Sequence, residues 1–148
     1  MSSEIDWGKE AGGLVEDGTY RVRINDYEEV KASTGTDQIR WHAEIIEGPH
    51  TGRTLIDHTP LTQKSLWRLA TLVQACGIDT SKLGKMVLKS NEFYKVLDLC
   101  KHRTTYWDVF TDTHNGKKSN KVQGYFHDAN NDVLDPAEVD VGDPACPF

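Results

Sequence analysis

"TQKSLWRLATLVQACG", residues 62–77, is where the chain changes its period. Leu66, Leu69, Ala70 and Val73 recur at helical spacing on one face, Thr62 is a candidate N-cap, and Gly77 stands where a helix should stop. A second helix follows in "SNEFYKVLDLCKH" (90–102), with Ser90 as the cap and Phe93, Val96, Leu97 and Cys100 as the buried stripe. On both sides of this block the period is two. Upstream, from Gly18, Tyr20, Val22 and Ile24 alternate with Thr19, Arg21 and Arg23. After a loop read at "DYEEVKASTGTD" (26–37), Ile39, Trp41, Ala43 and Ile45 alternate with Gln38, Arg40, His42 and Glu44. The turn residues of "EGPHTGR" then lead into a third strand, "RTLIDHT" (53–59). Downstream, "RTTYWDVFTDT" and "SNKVQGYFHD" are two strands joined at Asn115-Gly116, the dipeptide that most favours a tight hairpin.

Three strands, inserted helices and a closing hairpin predict a mainly β, α+β chain with the connectivity of the OB-fold, a five-stranded Greek-key barrel with helices between strands 3 and 4. The order is compatible with other small α+β folds. In an OB-fold, the loops between strands one and two and between strands four and five flank the ligand groove. Those loops are read here as "YEEVKASTGTD" and "DTHNGKKSN", the second carrying Lys117 and Lys118.

The chain has 148 residues and a net charge of -6, with 37% apolar and 27% charged side chains. That composition fits one globular domain with tails, and no apolar run approaches the roughly 18 residues of a membrane span. The acidic, polar start is not that of a signal peptide, and the three cysteines lack disulfide-framework or zinc-ribbon spacing, which suits a reducing cytoplasm. Charge is unevenly placed. Residues 1–17 carry five acids against Lys9, and residues 127–148 carry six acids and no Lys or Arg. This leaves 16 basic and 12 acidic side chains, or +4, in residues 18–126. The chain therefore divides into an acidic N-terminal segment (1–17), a basic domain (18–126) and an acidic tail (127–148) whose prolines and lack of periodicity predict disorder over most of its length. A basic body between acidic ends suits a nucleic-acid binder; the plainer alternative is a solvated, mixed-charge surface.

Catalytic and metal motifs fail on inspection. "GPHTGRT" lacks the glycine spacing and the lysine of a phosphate-binding loop. "DANNDVLD" begins with the offsets of a calcium loop, but Val133 stands in place of the turn glycine and Val139 in place of the bidentate glutamate. His42, His50 and His58 recur at spacing eight without a reason to converge on a metal. No enzyme activity and no cofactor are therefore expected. What remains is cations interleaved with rings, the requirement for neutralising phosphates and stacking exposed bases. The alternation points Tyr106 and Phe110 away from the core residues Trp107 and Val109, and places Tyr125 beside Lys121 and Gln123. Trp41, in phase with Ile39 and Ile45, reads as core.

The body, through "GTYRVRI", "EGPHTGRTLIDH", "LWRLATLVQACGID" and "NKVQGY", resembles a phage-encoded family of single-stranded DNA-binding proteins. The end, "DPAEVDV" followed by "DPACPF", is similar to the acidic tip of bacterial single-stranded DNA-binding proteins, although Ala145 and Cys146 depart from its usual acids. The resemblance implies coverage of single strands in replication, recombination or repair, with the tail recruiting partner enzymes. On this reading Arg21, Arg23, Arg40, Lys117, Lys118 and Lys121 bind phosphates, Tyr106, Phe110 and Tyr125 stack bases, and His42 belongs to the same nucleic-acid-binding set. Asp140, Asp143, Pro147 and Phe148 form the partner-binding tip, with the Phe148 ring entering an apolar pocket beside an arginine. The rival is a protein-binding module or DNA-mimic inhibitor of a host nucleic-acid enzyme. Dimerisation would extend the coverage, but no interface is legible.

Overall fold

A computed structural model describes residues 14–131 and 133–136. Its strands are β1 (Gly18–Lys31), β2 (Asp37–Ile45), β3 (Thr54–Pro60), β4 (Thr104–His114) and β5 (Lys117–His127). Between β3 and β4 lie α1 (Leu66–Ala75), a 3-10 turn (Thr80–Lys82) and α2 (Asn91–Leu99). The strands form one antiparallel sheet in the order β3-β2-β1-β4-β5, giving a mainly β, α+β chain with its helices where the change of period put them.

β1 belongs to both halves of the sheet, because residues 18–23 pair with β4 and residues 22–31 pair with β2. The register shifts between Ile24 and Asp26, leaving Asn25 as the extra residue of a bulge. One extra residue exchanges the faces, so Tyr27 turns inward and its ring meets that of buried Trp41 at 5.5 Å between centroids. β1 therefore continues through "DYEEVK", which the sequence reading assigned to a loop; only residues 32–36 connect it to β2.

Val22, Ile24, Ile39, Trp41, Ala43, Ile45, Trp107 and Val109 fill the concave side of the sheet. Leu69, Leu72 and Val73 of α1 and Phe93, Val96 and Leu97 of α2 close it. α2 is capped as expected, the Ser90 hydroxyl accepting from the Phe93 N–H at 3.2 Å. α1 starts later than Thr62: the Thr62 carbonyl accepts from the Ser65 and Leu66 amides, making a turn that feeds the helix. The β4–β5 turn is tight because Asn115 and Gly116 both take positive φ, at 52° and 78°.

The sheet curls until its edge strands face each other. Arg68 of α1 bridges them, donating through Nη2 to both carboxylate oxygens of Asp57 on β3 (3.0 and 3.2 Å) and to the Val122 carbonyl on β5 (2.6 Å). The Tyr125 hydroxyl of β5 also donates to Asp57, and the Arg68 guanidinium lies 5.1 Å from the centroid of that ring. Asp57 is only 7% exposed, so this charge is buried and paired across the seam.

The folded body also exceeds the domain bounds read from the sequence. Val15 is buried and exchanges two 2.9 Å hydrogen bonds with the Asn120 side chain. Asp128 is 1% exposed, and Leu134 forms a parallel bridge with Ile78. The start of the acidic tail thus lies against the body, because these residues find specific partners there.

Candidate functional site

The register defines an outward band on β4 and β5. Tyr106 stands opposite Phe126, and Phe110 opposite Lys121. Phe126 is 53% exposed, and its ring lies over Gly124, where an added Cβ would come within 3.4 Å of it. Lys117 follows the hairpin turn, four pairs along from Lys121 on the same face, while the alternation puts Lys118 on the opposite one. Among the described residues, Lys117, Lys118 and Lys121 form no ion pair. Unpaired cations beside outward rings can meet phosphate and base together.

The arginines are differently placed, each beside a carboxylate. Arg21 donates to Asp128 at 2.7 Å and to Glu47 at 3.3 Å; Arg23 lies 3.4 Å from Glu44; Arg40 donates to Glu28 at 2.7 Å. His42 also lies 3.4 Å from Glu28. Burial opposes the charge of Asp128, but hydrogen bonds from Thr104, Arg21 and the Asn130 amide outweigh it and hold its pKa at about 2. Arg21 sits opposite Tyr106 and belongs with the β4–β5 rings, Arg40 and His42 belong with β3, and Arg23 lies between Glu44 and Thr104. The predicted residues therefore form two neighbouring groups, one on β1–β4–β5 and one on β2–β3.

The two groups meet at the seam. A cleft of about 430 Å³ opens between Ile56, Asp57 and His58 of β3 and Ser119, Asn120, Lys121 and Val122 of β5, with Arg68 beside it. His58 accepts from Arg40 Nε at 3.1 Å.

Tyr125 requires correction. It is buried, its ring 5.9 Å from that of Trp107 between centroids, and burial together with the Asp57 carboxylate pushes its hydroxyl pKa up. A second bulge explains the error: Asp108 pairs with Gly124 and Val109 with Val122, so Gln123 is extra and the face changes after it. Phe126, which the sequence reading left without a role, is the outward ring instead. Gly124 inside the strand was the available signal. His58 and Ile56 were also missed, since nothing local indicates that β3 and β5 face each other.

Asp140, Asp143, Pro147 and Phe148 lie outside the described residues. Among the described residues no three His, Cys, Asp or Glu side chains are grouped to hold a metal, and no helix is long and apolar enough to cross a membrane. No curated protein matches the sequence. The model of one family, described as protein of unknown function (DUF669), matches residues 4–136, and the chain belongs to that family.

Proposed function

We propose that the chain is a sequence-tolerant single-stranded DNA-binding protein built on an OB-fold. Strand order β3-β2-β1-β4-β5, a shared, bulged β1 and helices between β3 and β4 support the fold, since an OB barrel closes where β3 meets β5. One observation carries the function: Lys121, without a carboxylate partner among the described residues, stands opposite Phe110 on the face that also holds Tyr106 and Phe126. The bases stack on these rings while Lys117 and Lys121 neutralise phosphates. One such domain covers about 4 to 16 nucleotides, and dimerisation would lengthen this. The protein acts in phage DNA replication, recombination or repair in a bacterial cytoplasm, its acidic tail recruiting partner enzymes.

Fluorescence titration with a labelled oligothymidylate, its duplex counterpart and a matching RNA tests the reading. The single DNA strand should bind best, with a log-log salt slope of about -0.7 per phosphate contacted. Preference for duplex, or an affinity insensitive to salt, overturns it. The rival, a protein-binding or DNA-mimic module, draws on the carboxylates beside Arg21, Arg23 and Arg40 and on exposed Trp67 (66%) and Val87 (75%).

A further inference from the structure

We infer that the β3–β5 cleft is a phosphate subsite formed by Lys121 and the protonated imidazole of His58, and that single-strand binding there takes up a proton. The inference rests on the single-strand reading and deepens it.

The hydrogen bond between Arg40 and His58 fixes the starting state. A guanidinium has donors and no acceptor, so His58 Nε2, 3.1 Å from Arg40 Nε, must present a lone pair. The free ring is therefore neutral, with its proton on Nδ1. Protonation at Nε2 would set donor against donor and break the bond.

The charges around His58 maintain that state. Arg40 and His42 face it from β2, and Lys121 from β5. Asp57 precedes it on β3, but its carboxylate is engaged by Arg68 of α1 and Tyr125 of β5. Glu28 of β1 is engaged by Arg40 and His42. Burial lowers the His58 pKa first, Arg40, Lys121 and His42 lower it further, and Asp57 opposes them. Among the described residues, positive charge thus accumulates at the cleft with no carboxylate to spare.

A phosphate oxygen arriving between Lys121 and His58 supplies the missing negative charge. It favours the imidazolium, which donates Nε2–H to phosphate in place of accepting from Arg40, and frees Arg40 Nε for the same strand. Ser119 and Asn120 give the cleft polar sides, while Ile56, 44% exposed, offers an apolar surface to a sugar or base.

The linkage has a definite sign. The His58 pKa lies below 6.5 in the free protein and rises when phosphate binds, so affinity is greatest at low pH. Affinity falls as pH rises from the free to the bound value, by at most about tenfold per pH unit for one proton.

The test combines oligothymidylate affinity between about pH 5.5 and 8.5, for the native protein and His58→Gln, with NMR titration of the His58 ring with and without oligonucleotide. The native protein should bind more weakly as pH rises, His58→Gln should flatten that dependence, and oligonucleotide should raise the His58 pKa. If the oligonucleotide binds but leaves the His58 pKa unmoved, and His58→Gln keeps the native pH slope, the subsite is refuted and the single-strand reading survives. If it binds at no pH, the single-strand reading falls and takes the subsite with it.

Discussion

Replacing Arg68 by Met removes the guanidinium that joins the two edges of the sheet while keeping much of the apolar stem. Three hydrogen bonds disappear, two to Asp57 and one to the Val122 carbonyl, together with the contact over Tyr125. The larger effect is on what remains: Asp57, 7% exposed, is left among the described residues with the Tyr125 hydroxyl as its remaining hydrogen-bond donor. Breaking a buried pair in this way costs about 3–5 kcal/mol, a large share of the roughly 5–15 kcal/mol that holds a domain folded. Urea denaturation followed by tryptophan fluorescence gives the value, because Trp41 and Trp107 are wholly buried. Adding Asp57→Asn removes the stranded charge, and the double variant should regain about 2 kcal/mol or more. A loss below about 1 kcal/mol in Arg68→Met, or no recovery in the double variant, would show that the seam is not held by this pair.

Replacing Lys117 and Lys121 together by Ala should reduce the salt slope of oligothymidylate binding by about 1.4, read from affinities across a salt series, whereas Lys118→Ala, on the opposite face, should leave it unchanged. Phe126→Ala should weaken oligothymidylate binding by about 1–3 kcal/mol in the same titration, whereas Tyr125→Phe should cost about 1.5–3 kcal/mol of folding stability through its lost bond to Asp57. Asp128, with its pKa lowered from 3.8 to about 2, stabilises the fold above pH 3.8 and loses that effect as pH falls toward 2. The gap in urea midpoint between the native protein and Asp128→Asn should therefore narrow on acidification through that window. Deleting residues 137–148 should tighten oligothymidylate binding at low salt, since its acids imitate phosphates; an unchanged affinity removes the masking role.

The elements were legible where one face is apolar and the other polar. Ile39 to Ile45 and Leu66 to Val73 show their periods openly, and Asn115-Gly116 fixes its own turn through backbone conformation. Phase was not legible across Asn25 and Gln123, because a bulge shifts all following side chains by one face without changing composition. This is why Tyr27 and Tyr125 turn inward and Phe126 outward. "DYEEVK" was read as a loop because its acids hide the alternation, although Glu28 holds Arg40 and Glu29 accepts from the Tyr94 hydroxyl. The seam was hidden for another reason. Asp57 and Arg68 look like surface residues until the curl of the sheet brings β3 beside β5, and only then do His58 and Lys121 border the same cleft.

Chemical-shift mapping of the labelled protein during addition of oligothymidylate tests the central claim most directly. Perturbations should follow the band from Tyr106, Phe126 and Phe110 through Lys121 to His58 and Arg40, leaving unchanged the apolar groove between α1 and α2 that Leu66, Leu69, Phe93 and Val96 line. Shifts centred on that helical surface, or none at saturating oligonucleotide, would contradict it.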